Sequence, residues 1–92
     1  MTKIALIAKQ GKGLSFDFNT GLNCSSKWAI SDEAAANLTE IYLFNRHKDL
    51  SYFGGEVAYT EKVGDRYKIY FRRTQTEIDG STLAWGQEKA YF

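Results

Sequence analysis

The sequence predicts an α+β domain: an antiparallel sheet of about five strands and one amphipathic helix, in the order β-β-α-β-β-β. Three features support this. Short runs alternate apolar and polar residues, a helix start signal stands at Ser31-Asp32-Glu33, and Gly-containing turn signals separate the runs. Ninety-two residues make one domain, 1–92, since a chain this short cannot supply two cores.

Ile4 to Ala8 is an apolar stretch that reads as a strand, too short for a signal-peptide core or a membrane span. The turn Gln10-Gly11-Lys12-Gly13 follows, and then Leu14-Ser15-Phe16-Asp17-Phe18 alternates with period two, so the two runs are expected to form a hairpin. Asn19 to Lys27 is polar and aperiodic and reads as a loop. Ser31 has the side chain of an N-cap, and Asp32 and Glu33 place negative charge at the positive end of a helix dipole. Ala34, Leu38, Ile41, Tyr42 and Asn45 continue at helical spacing, so a helix is expected from Asp32 to about His47, with Arg46, His47 and Lys48 at its C-terminal end.

After Gly54-Gly55, Glu56 to Lys62 and Arg66 to Arg73 form the clearest strand pair. Tyr67, Ile69 and Phe71 share one face of the second strand; Arg66, Lys68, Tyr70 and Arg72 share the other. A three-residue loop, Val63-Gly64-Asp65, is expected to set Val57 against Phe71 and Tyr59 against Ile69, with Glu56 opposite Arg72. The parity of that strand is also expected to place Glu56 and Glu61 on opposite faces. Asp79-Gly80 is a turn signal. Thr82 to Phe92 is expected to add a last strand, broken near Gly86, which either closes the sheet toward a barrel or leaves a free edge.

Composition narrows function mainly by exclusion. Twelve Lys and Arg against eleven Asp and Glu leave a net charge of +1, so an electrostatic partner has to be recognised by a local patch. One cysteine, Cys24, excludes an internal disulfide and suits the cytoplasm, and one His beside it is too few for a Cys/His zinc site. Gly11-Lys12-Gly13 lacks the remaining residues of a dinucleotide fingerprint or a P-loop, and no catalytic signature occurs. The expectation is a non-enzyme without metal, cofactor or membrane association, as a monomer or homodimer.

What remains is a candidate binding face. Arg66, Lys68, Tyr70 and Arg72 make a stripe in which cations flank an aromatic, joined by Arg73 and, if the helix end packs nearby, by Arg46, His47 and Lys48. Cations contact phosphates and a tyrosine ring stacks on a base, so the stripe suits nucleic acid. Tyr52, Phe53 and Trp85 stand beside glycines and are expected to contribute a base-sized pocket. The competing expectation is a protein-binding accessory or inhibitor module, of the kind phages use against host defences, in which surplus Tyr, Trp, Phe and Arg form a hot-spot patch.

Overall fold

The computed structural model describes residues 2–92, and these form a small sheet-rich domain with seven strands and one short α-helix. The strands are β1 (Thr2–Ile7), β2 (Leu14–Asp17), β3 (Leu22–Trp28), β4 (Leu38–Phe44), β5 (Phe53–Val63), β6 (Arg66–Arg73) and β7 (Lys89–Tyr91); the helix, α1, is Asp32–Asn37. They build one unclosed sheet in the order β2-β3-β6-β5-β4-β1-β7. β1 and β4 run parallel and every other pair is antiparallel. Seven strands and a parallel pair replace the five antiparallel strands expected.

The parallel pair explains the largest correction. Ile4, Ala5 and Leu6 of β1 and Ile41 to Phe44 of β4 are all essentially inaccessible to solvent, so these strands are covered on both faces. Strands covered on both faces carry continuous apolar runs rather than alternation. Leu38-Thr39-Glu40-Ile41-Tyr42-Leu43-Phe44 therefore satisfies helical spacing while forming the core strand β4. Its β-branched and aromatic residues suit a pleated surface, and α1 ends at Asn37, with Leu38 already extended. The expected helix to His47 is thus six residues long, and Arg46, His47 and Lys48 belong to the connection between β4 and β5.

α1 begins as expected: the Ser31 hydroxyl oxygen accepts a hydrogen bond from the Ala34 N–H at 3.1 Å. So short a helix is marginal by itself and must be docked. Ala35 is buried, and the Asp32 carboxylate accepts hydrogen bonds from the Tyr67 hydroxyl at 2.7 Å and the Lys62 ammonium at 2.9 Å. These two bonds, Tyr67 first, hold the Asp32 pKa below the ordinary carboxylate value. A folded pKa depressed in this way stabilises the fold above the unfolded-state pKa, and that stability is lost as pH falls through the folded pKa. The difference in melting temperature between the native chain and Asp32→Asn should accordingly be present at neutral pH and vanish in acid, and should be small because the pair is solvent-screened. A pH series of thermal melts measures it.

Two further expectations are corrected at the amino-terminal end. β1 and β2 form no hairpin; a 3-10 turn at Lys9–Gly11 carries the chain away, and β2 pairs with β3 at the far edge. Of the polar segment expected as a loop, Asn19 to Lys27, only the first three residues are a turn; from Leu22 on it is that strand β3, between β2 and β6. Its polarity is accommodated in place: Ser25, fully buried, accepts a hydrogen bond from Trp28 Nε1 at 2.9 Å.

The β5–β6 hairpin is present, with a two-residue turn in place of three. Val63 pairs with Arg66 across Gly64-Asp65, and Gly64 takes the positive φ of 66° that primed hairpin turns need. A bulge at Ala58 then shifts the register, so that Val57 faces Phe71 and Glu56 faces Arg72 as expected, while Tyr59 faces Tyr70 instead of Ile69.

The sheet twists around its inner face, where Ile4, Leu6, Ile41, Leu43, Tyr67, Ile69 and Phe71 form one cluster closed by α1. The outer face divides in two. Over β4, β1 and β7, Ala5, Tyr42, Phe44 and Ala90 are covered by Ile78, Leu83 and Trp85 of the carboxy-terminal segment. Over β5 and β6 the outer face carries Tyr59, Lys68, Tyr70 and Arg72, with Cys24 and Leu22 of β3 buried beside them.

Candidate functional site

The alternation of β6 is as expected: Tyr67, Ile69 and Phe71 are buried, and Arg66, Lys68, Tyr70 and Arg72 face outward. Cross-strand neighbours complete this open half. On β5, Tyr59 lies opposite Tyr70, Glu61 opposite Lys68 and Glu56 opposite Arg72; on β3, Cys24 lies beside Tyr70. The Ala58 bulge therefore brings Glu56 and Glu61 onto one face, against the expectation from parity. Their partners Lys68 and Arg72 stand four residues apart along β6, about 13 Å, which is too far for a carboxylate dyad.

The two tyrosine rings stack with centroids 4.6 Å apart and an interplanar angle of 16°, and Tyr59 is 45% exposed. Desolvation first, then the Cys24 thiol and the Glu61 carboxylate, push the Tyr70 pKa up to about 12, so its phenol is neutral and a donor, reaching Glu61 Oε1 at 3.4 Å. Burial likewise raises the Cys24 thiol, which keeps it protonated beside Tyr70.

Charge on this face is ordered. Lys68 and Arg72 each face an acid, whereas Arg66 faces Val63 and has no carboxylate across from it. Arg66 also lines a cleft of about 650 Å³ in the seam where the sheet fails to close, between the end of β3 and the carboxy-terminal segment with β7. Lys27 and Trp28 stand on one wall, Glu88, Lys89 and Tyr91 on the other. Lys89 Nζ crosses the seam to the Ala29 carbonyl at 2.5 Å.

The remaining expected residues lie elsewhere. Arg73 has the opposite parity to Arg72 and sits over the Phe53 ring, 4.5 Å from its centroid. Tyr52 is structural: half-buried against the inner core, its hydroxyl donates to the Ala8 carbonyl and accepts from the Gly11 N–H. Trp85 covers Phe44 and donates through Nε1 to the carbonyls of His47 at 2.9 Å and Gly80 at 2.8 Å. His47 in turn contacts the Gln87 carbonyl through Nε2 at 2.6 Å and the Trp85 ring edge-on. The segment carrying Arg46, His47 and Lys48 is thus tied to the carboxy-terminal segment, not to the open face. Gly54 and Gly55 serve packing rather than a ligand: a Cβ would fall 2.6 Å from the Tyr42 ring at the first and 1.9 Å from the Arg72 carbonyl oxygen at the second.

Tyr59, Lys27, Lys89 and Tyr91 are functional candidates that sequence reasoning did not find. The bulge conceals Tyr59, and the cleft joins residues about sixty positions apart. Among the described residues no group of three or more His, Cys, Asp or Glu is placed to hold a metal, and no helix is long and apolar enough to cross a membrane. No family model, curated protein or solved structure matches the chain.

Proposed function

We propose that the protein is a non-enzymatic module that binds single-stranded nucleic acid along the open half of its outer face. The observation that carries this reading is the near-parallel Tyr59–Tyr70 stack, with Tyr59 exposed and Tyr70 half-buried, set in line with Arg72, Lys68 and Arg66 on the outward face of the β5–β6 hairpin. Aromatic surfaces contribute about 1 to 3 kcal/mol per stacked base in such sites, and the cations neutralise phosphates. Glu56 and Glu61 temper the field near Arg72 and Lys68, so the attractive end of the path is at Arg66. Fluorescence anisotropy with labelled single-stranded DNA and RNA at low salt tests it, comparing the native chain with Lys68→Glu/Arg72→Glu. Binding reduced at least tenfold by the double substitution supports the reading, and absence of binding by the native chain sinks it.

A second reading, a protein-binding accessory or inhibitor module, is favoured by one feature. Phe18 is 90% and Phe16 47% exposed, in edge-to-face contact at 5.0 Å beside the free edge of β2. Exposed aromatics beside unpaired strand edges suit a partner that adds a strand. Loss of partner capture on Phe16→Ser/Phe18→Ser, without any nucleic-acid binding, would favour this reading.

A further inference from the structure

The cleft in the seam of the sheet differs from the open face in charge balance and shape. Three cations, Lys27, Arg66 and Lys89, line it against one carboxylate, Glu88, so its positive excess is larger than that of the open face, where Lys68 and Arg72 each lie across from an acid. Two aromatics, Trp28 and Tyr91, stand on opposite sides of the seam. The Trp28 indole N–H is already satisfied by Ser25 and its ring packs in part against the inner core, so what it presents to the cleft is an apolar surface rather than a donor. Much of the remaining wall is Ala and Gly, which keeps the space open, and about 650 Å³ is within the range of small-molecule pockets, about 300 to 1,000 Å³.

We propose that this cleft is a nucleotide pocket, in which the phosphate is held by Lys27, Arg66 and Lys89 and the base lies against Trp28 and Tyr91. An anion alone would need only the cations and an apolar ring only the aromatics; a ligand with both parts uses the whole lining. Arg66 belongs to the cleft and to the β6 stripe alike, so a strand on the open face would deliver one of its nucleotides here. The proposal rests on the nucleic-acid reading for that source alone, since a free nucleoside monophosphate has the same chemistry.

The test is a titration of the 15N-labelled native chain with nucleoside monophosphates, inorganic phosphate and a short single-stranded oligonucleotide, followed through the two indole N–H resonances. Nucleoside monophosphates should shift the Trp28 indole and the Lys89 and Tyr91 amides while leaving Trp85, on the covered face, in place. Lys27→Glu and Tyr91→Ala should each weaken that binding at least fivefold, whereas Arg73→Glu, with the same charge change at the opposite end of β6 from Arg66, should not. Oligonucleotide binding indifferent to Lys27→Glu and Tyr91→Ala, with no response to monophosphates, overturns the pocket and leaves the face standing. Monophosphate binding without oligonucleotide binding upholds the pocket and removes the face. Inorganic phosphate binding as tightly as the nucleotides overturns it as well, because the aromatic walls would then contribute nothing.

Discussion

Replacing Gly55 by Ala should cost the fold more than about 3 kcal/mol, at or above the usual range for an overpacked interior. β5 is threaded between β4 and β6, with Gly55 paired to Ile41 on one side and Arg73 on the other. A Cβ at this position would lie 1.9 Å from the Arg72 carbonyl oxygen and 2.7 Å from its carbon. Both are backbone atoms of the neighbouring strand, so the clash cannot be relieved by a rotamer change; β6 would have to separate from β5. For a domain of this size each kcal/mol lowers Tm by about 4 to 8 °C, which puts the expected fall at roughly 12 °C or more. Gly86→Ala is the matched comparison, because its nearest non-local contact would be 3.4 Å and its φ is not in the left-handed region. It should change stability by less than about 1 kcal/mol. Urea unfolding of both variants measures the difference, and equal midpoints would mean that β5 does not sit between β4 and β6 as described.

The Gly54-Gly55 pair also shows how far the sequence could be read. Glycines beside aromatics suit close approach of a ligand or close approach of another strand, and local pattern cannot separate the two. The same ambiguity governs β4. Leu38, Ile41 and Tyr42 fit one face of a helix, and they fit a strand buried on both sides equally well. Only the parallel partner Ile4-Ala5-Leu6, more than thirty residues away, decides between them. β3 was concealed for a different reason: its polar side chains are accommodated in place, Ser25 by Trp28 within the strand and Ser26 by the Gly13 carbonyl at 3.5 Å, and a polarity pattern reports neither. By contrast β6 was legible residue by residue, because one of its faces is core and the other is solvent, and period-two alternation records that division directly. So was the Ser31 cap, whose partner lies three residues away. The candidate site divides the same way. Arg66, Lys68, Tyr70 and Arg72 follow from alternation, whereas Tyr59 depends on a bulge and the cleft on how the sheet curls.

Salt should have the largest effect on function. If Arg72, Lys68 and Arg66 on the face and Lys27 and Lys89 in the cleft each neutralise one phosphate, log K should fall with log salt at a slope of about −3.5, or roughly a hundredfold loss of affinity between 50 and 200 mM. Lys68→Glu/Arg72→Glu should make that slope shallower by about 1.4, since two contacts are removed. Glu61→Gln should act in the opposite direction at low salt. The Glu61 carboxylate lies across from Lys68 and accepts from Tyr70, so neutralising it removes a repulsive charge from the path of the strand and strengthens the positive field around Lys68. Affinity should therefore rise in Glu61→Gln while the salt slope steepens or stays the same, a combination that a merely structural role for Glu61 would not produce. Anisotropy titrations at four salt concentrations resolve all three slopes. Binding that persists at 200 mM with a slope shallower than about −1 would be a dry contact, and would move the search for a partner from the Tyr59–Tyr70 face to Phe16 and Phe18 at the β2 edge.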